Sequence, residues 1–237
     1  MSRIEWDRND LPINKSEIYE QFEKIAIDIN GKFNINYSDE IPNVGIFVSK
    51  QNHCLIDLLW RVRNGELKMN VPLIISNHPD LENIAKDFKA QFVCIDTTNS
   101  SKSSVEKQIL NLLKDFDIEL VVLAKYMQIL SDSFLENYSS IINIHHSFLP
   151  AFKGAQPYHR AWKRGVKLIG ATAHYVTQDL DEGPIIEQCT VNVSHRDEVA
   201  DLIRKGRDIE RIALARAVRL HLNHQIFVYD SKTAVFD

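Results

Sequence analysis

Four short apolar runs, at residues 44–48, 71–76, 92–95 and 120–124, set the limits on what this chain can fold into. They are rich in β-branched residues and apolar on both faces, which suits strands covered on both sides. Between them the spacing turns helical: Leu55, Leu58, Leu59 and Val62 share one side of 53–63, residues 79–88 follow suit, and Ile109, Leu112 and Leu113 face inward from 105–116. This alternation predicts an α/β fold, a doubly wound and mostly parallel sheet over residues 41 to about 145. Ligands of such sheets sit outside the carboxyl ends of the strands. The loops that begin at Ser49, Ser76, Asp96, Lys125 and His145 are therefore expected to face one crevice.

Further on, 169–176 and 185–193 read as strands, 197–222 as a long helix with apolar residues spread around it, and 225–229 with 234–236 as a terminal hairpin. The first forty residues read as strand 2–6, a helix and strand 33–37. Asn14 and Glu17 form a capping box, Ile18, Phe22, Ile25 and Ile29 mark one helical face, and Gly31 closes the helix. Such a βαβ unit cannot cover its own sheet. It is expected to pair with another copy, pack on the rest of the chain, or fray.

The 237 residues suffice for a substantial core, and a formal net charge of -4 gives no basic footprint for nucleic acid. The apolar runs are too short to cross a bilayer and residues 1–10 lack the apolar core of a signal peptide, so no membrane role and a cytoplasmic location are expected. Cys54, Cys94 and Cys189 form neither a disulfide framework nor a zinc signature, and Cys94 reads as a small buried thiol. No His-Glu-x-x-His is present, His221 and His224 lack a nearby third ligand, and no Gly-x-Gly-x-x-Gly follows the first strand. Neither a metal nor a cofactor is expected.

The chemistry concentrates in residues 141–188. Asn143 and His145 lie on the same side of a strand by its period of two, and the run at 169–176 contains His174 and leads to Asp179, Asp181 and Glu182. If the two runs neighbour each other in one sheet, an amide, an imidazole and a carboxylate meet at its edge. Such a trio suits attack on a carbonyl: two donors hold the developing oxyanion, and the carboxylate orients the imidazole or takes a proton from water.

The pattern Asn-Ile-His-x-Ser-x-Leu-Pro-x-Phe-x-Gly, then His-Tyr-Val-x-x-x-Leu-Asp-x-Gly-Pro-Ile-Ile, resembles the folate-dependent formyltransferase superfamily. His146 directly after His145, the run Ala155-Gln156-Pro157-Tyr158-His159 and the run from Gly170 to Tyr175 resemble one branch of it, the formyltetrahydrofolate deformylases, from about Val44 to the C-terminus. The resemblance implies a formyltransferase-like Rossmann fold over 41–237, with residues 1–40 matching only the second half of an ACT-type regulatory domain, so that amino-acid control is in question. It implies Asn143, His145 and Asp181 as the catalytic trio. Met127, Gln128, Ile129 and Leu130, with the backbone around Asp179 and Leu180, are the implied folate contacts. His146 and His174 remain open between direct contact and a supporting role, and Tyr158 and His159 between function and packing.

The implied reaction is hydrolysis of 10-formyltetrahydrofolate to tetrahydrofolate and formate, feeding purine synthesis and balancing the one-carbon pool. Folate is then a substrate, and a homodimer or homotetramer the implied assembly. Two alternatives stand beside it: formyl transfer to an amine such as glycinamide ribonucleotide, and a folate binder without activity. The first strand-to-helix loop, Val48 to Leu55, has no glycine to let a phosphate approach its backbone, which favours water over a ribonucleotide acceptor.

Overall fold

The computed structural model describes every residue except 1, 9–11, 98–99, 152–155 and 237; part of the central motif, Phe152, Gly154 and Ala155, thus lies outside the described residues. The chain divides into two compact units, one ending at Glu40 and the other running from Ile41 to Val235.

In the first unit, α1 (Lys15–Asp28) starts at the expected capping box, with Asn14 Oδ1 accepting from the Glu17 amide and the Glu17 carboxylate from that of Asn14. Its end differs from expectation. Asn30 rather than Gly31 takes the left-handed conformation, at φ +50, while the Gly31 amide donates to the Ala26 carbonyl. Nor do 2–6 and 33–37 form strands. An extended segment gains ladder bonds only from a neighbour, and here ring contacts organise the unit instead: Trp6 stacks on Phe22, and Phe33 tilts against Tyr19 and Phe22. Of the anticipated helical face Ile18 is buried, whereas Ile25 and Ile29 are exposed.

The second unit runs β1 (Asn43–Val48), α2 (His53–Arg63), β2 (Asn70–Ser76), a 3-10 turn (Pro79–Leu81), α3 (Glu82–Asp87), β3 (Gln91–Cys94), α4 (Lys102–Asp115) and β4 (Leu120–Leu123). It continues with α5 (Asp132–Asn137), β5 (Ile141–His145), α6 (Pro157–Arg164), β6 (Leu168–Tyr175), β7 (Ile185–Asn192), α7 (Val199–Leu222), β8 (Ile226–Tyr229) and β9 (Lys232–Val235). Residues 79–88 were expected as one helix; Pro79 opens them with a 3-10 turn instead. The short α5 has no periodic pattern to announce it. It is started by Ser131, whose hydroxyl accepts from the Phe134 amide.

Seven strands form one sheet in the order β3-β2-β1-β4-β5-β6-β7, parallel from β3 through β5, with β6 and β7 antiparallel. The period of two sorts the side chains of β1 cleanly. Val44, Ile46 and Val48 enter the core under α2, α3 and α7, and Phe47 the core under α4 and α5. Cys94 corrects the expectation of a buried thiol: β3 is an edge strand, and its cysteine is exposed. Chain order reverses direction between β1 and β4, and the crevice at such a switch point is where ligands bind in open α/β sheets. No described helix is long and apolar enough to cross a membrane.

Helix α7 packs along β6 and β7 and against α2. Near its end the Tyr175 hydroxyl and His221 Nδ1 share a hydrogen bond at 2.8 Å. Burial, with His224 nearby, lowers the His221 pKa to about 4. Because the unfolded chain takes up that proton between the ordinary value of 6.5 and about 4, stability from this group is full above 6.5 and declines as pH falls through that window. The melting temperature of the protein is expected to drop on that descent, and the gap between it and His221→Phe to narrow. A gap that stays constant from pH 7 to 4 would refute the assignment.

Candidate active site

Strand β5 carries two of the sequence candidates. Ile142 and Ile144 point into the core beneath α7 and Ile141 into that beneath α4, so Asn143 and His145 project from the α4 face. Strand β6 lies beside them in a register that sets His174 opposite Asn143 and Thr172 opposite His145. His174 Nδ1 donates to the Tyr175 carbonyl at 2.8 Å, which leaves Nε2 as the acceptor for Asn143 Nδ2 at 3.2 Å. Burial lowers the His174 pKa, outweighing the pull of that carbonyl and of Asp181. The ring is neutral, and it fixes the direction of the Asn143 amide.

Asp181 arrives on the turn that links β6 to β7. Its backbone is left-handed, φ +58, a conformation that aspartate adopts more readily than most residues. Two residues on, a Cβ at Gly183 would lie 1.8 Å from the Tyr175 carbonyl oxygen, so only glycine lets the turn close this tightly. Asp181 Oδ1 lies 3.2 Å from His145 Nδ1 and 3.8 Å from His174 Nε2. Burial works against its ionisation, yet the hydrogen bond and charge of His145 outweigh it, with smaller help from His174 and His146, and hold the carboxyl below its usual range. His145 is only 6% exposed, and its Nε2 is buried with no partner among the described residues. An unpaired buried donor or acceptor costs about 1–3 kcal/mol, and such a group persists where a ligand completes it.

The folate candidates follow β4 and precede Asp181. Met127, Ile129 and Leu180 are exposed apolar side chains, Gln128 and Leu130 are half-buried, and Asp179 is exposed with its carbonyl accepting from Thr177 and Glu182. The Ser49 hydroxyl donates to Asn77 Oδ1 at 2.6 Å and accepts from the Met127 amide at 2.9 Å. One side chain thereby ties together the loops after β1, β2 and β4.

Comparison with known proteins fits this geometry. The formyl transferase family matches residues 42–218. The chain is 56% identical over 236 residues to formyltetrahydrofolate deformylase of Synechocystis sp., covering 100% of this chain and 83% of that protein. The chain belongs to the formyltetrahydrofolate deformylase family. The crystal structure of a formyltetrahydrofolate deformylase from Pseudomonas syringae superposes with a TM-score of 0.92 at 43% identity, covering 96% of this chain and 76% of that one. Glycinamide ribonucleotide transformylase 1 from Symbiobacterium toebii gives 0.80 at 30% identity, covering 86% and 99% respectively. The deformylase family thus shares its architecture with transferases, and side chains must separate the two chemistries.

A buried polar group beside the trio escaped the sequence reading. Glu210 of α7 accepts from the Tyr158 hydroxyl at 2.7 Å through Oε1, while Oε2 meets His53 Nε2 at 2.7 Å and Lys125 Nζ at 3.5 Å. Lys125 Nζ donates in turn to His146 Nδ1 at 3.0 Å, and the His146 ring stacks on that of His145, centroids 4.9 Å apart. Burial opposes ionisation of Glu210, but His53, Lys125 and Tyr158 together hold its carboxyl well below the usual range. The available signals were a lysine directly after the apolar run of β4 and a glutamate between Ile209 and Ile212 on a core-facing stretch of helix. Neither residue names its partner, 85 positions away in the case of Lys125 and Glu210 (210 − 125).

The one group of potential metal ligands among the described residues, His53, Cys54 and Glu210, has ligand atoms within 4.8 Å of one another. It suits a cation poorly. The Lys125 ammonium already sits at the carboxylate, and burial pushes the Cys54 thiol up, away from the thiolate that a metal needs.

Proposed function

We propose that this chain hydrolyses 10-formyltetrahydrofolate to tetrahydrofolate and formate. The observation that carries the reading is the convergence of β5 and the β6–β7 turn: Asp181 lies 3.2 Å from His145 Nδ1 and 3.8 Å from His174 Nε2, which accepts from Asn143. The relatives' name supports it. Water attacks the formyl carbon, and the Asn143 amide and the protonated His145 ring hold the oxygen as it gains charge, His145 through the nitrogen that Asp181 does not engage. Asp181 stabilises the imidazolium and accepts the proton of the attacking water. That proton reaches the leaving folate nitrogen through Asp181 or His145 as the carbon–nitrogen bond breaks.

On this reading Met127 to Leu130 and the backbone of Asp179 and Leu180 wall the pterin, apolar side chains giving the faces and main-chain groups the edge. Residues 1–40 act as an ACT-like regulatory segment for the catalytic unit at 41–237, and a homo-oligomer in the cytoplasm supplies formate for purine synthesis and balances the one-carbon pool. Formyl transfer to an amine is the second reading, favoured by the fold shared with the transformylase. Against it, the loop after β1 carries no glycine and sends His53 onto Glu210.

The test is purified protein with 10-formyltetrahydrofolate, following formate and tetrahydrofolate. Equal release with and without glycinamide ribonucleotide is expected. Turnover that requires the amine would replace hydrolysis by transfer, and none in either arm would leave a folate binder.

A further inference from the structure

We propose that Lys125, anchored by Glu210, is a positioning residue for the deformylation, holding the His146 ring face to face with His145; this rests on the hydrolytic reading above. Consecutive strand residues point to opposite faces. His145 and His146 nevertheless stack, 13° from parallel, because β5 ends at His145 and the chain turns there. The Lys125 ammonium fixes the turned ring by donating to Nδ1 at 3.0 Å. The anchor lies on the other side of the sheet, since Glu210 belongs to α7 and His53 to α2. The network thus wraps the sheet's edge from the helix layer to the catalytic imidazole.

Three costs accompany it. Lys125 takes a left-handed backbone, φ +67, which suits glycine better than lysine. Its side chain is 5% exposed and that of Glu210 2%, and a buried ion pair is rarely more stabilising than apolar packing of the same volume. Helix α7 also carries Gly206 in its interior, where a Cβ would lie 2.1 Å from the Tyr158 hydroxyl that donates to Glu210. Strain, buried charge and a helical glycine kept together around one contact mark a functional arrangement.

The groups facing His146 are His145, Lys125, Tyr158, Glu210 and, at longer range, Asp181. Burial, Lys125 and His145 lower its pKa to about 4, against the pull of Glu210 and Asp181. His146 therefore stays neutral. A charged ring in its place would oppose the imidazolium that the proposed reaction forms at His145.

A double-mutant cycle on formate release tests this. Lys125→Met is expected to lower kcat by about 10–100-fold with KM within about threefold, and to move the acid limb of the kcat profile up by about one pH unit, because His146 then protonates more readily. In a His146→Phe background, which keeps a ring but no acceptor, the same substitution is expected to cost less than about threefold. Where Lys125→Met alone strips the Glu210 carboxylate of its nearby ammonium and the chain unfolds, Lys125→Met with Glu210→Gln runs the same cycle without that buried charge. Additive losses, or an acid limb that does not move, would overturn the proposal. A parent protein that releases no formate would overturn the hydrolytic reading and this proposal with it.

Discussion

Replacing Asp181 by asparagine is expected to lower formate release by about 10³-fold at pH 7, with the chain still folded. The asparagine keeps the size of the side chain and an oxygen near His145 Nδ1, so the loss isolates the negative charge. On the proposed mechanism, the imidazolium that forms at His145 then has no counter-charge at 3.2 Å, and the attacking water loses its proton acceptor. Asp181 is ionised throughout the neutral range, because its carboxyl is held below the ordinary value of 3.8. Its depressed pKa also contributes folding stability above 3.8, lost as pH falls through the folded value, and the variant lacks that contribution. Initial-rate assays of the variant between pH 6 and 9 check the claim. A rate within a few-fold of the parent would remove Asp181 from the reaction.

The second large effect is expected from Gly183→Ala, a change of one methyl group. Its Cβ would meet the Tyr175 carbonyl oxygen at 1.8 Å, and neither atom belongs to a side chain that can rotate away. Backbone must move, at a cost of about 2–4 kcal/mol. The same carbonyl accepts from His174 Nδ1, and His174 Nε2 accepts from Asn143, so the shift reaches the amide proposed to hold the oxyanion. It also displaces the turn that bears Asp181. A fall in kcat of about 10²-fold or more should accompany the lowered melting temperature. Gly165→Ala is the control: that glycine has φ +70 but nothing among the described residues within 4 Å of a Cβ, so about 1 kcal/mol of strain and full activity are expected. Equal behaviour of the two variants would sink the argument.

The central sheet was legible because β1, β2 and β4 are short, β-branched runs apolar on both faces, too short for a buried helix. Asn143 and His145 were legible as neighbours by the period of two. Asp181 was not: among Asp179, Asp181 and Glu182 composition draws no distinction, and only the motif around Gly183 singles it out. The Lys125–Glu210 pair stayed hidden because it is made by tertiary folding between a strand end and a distant helix. Strands at 2–6 and 33–37 were misread for a related reason, since alternation records which side a residue faces and nothing about whether a neighbour exists to pair with. Cys94 was misjudged because its apolar surroundings look alike on an edge strand and a central one.

The Ser49 hydroxyl bears on how this scaffold can be re-engineered. By engaging both Asn77 and the Met127 amide, it makes the segments after β1, β2 and β4 one mechanical part. A chimaera that replaces any one of the three breaks its tie to Ser49 or strands the other two. The three segments are therefore best exchanged as one unit.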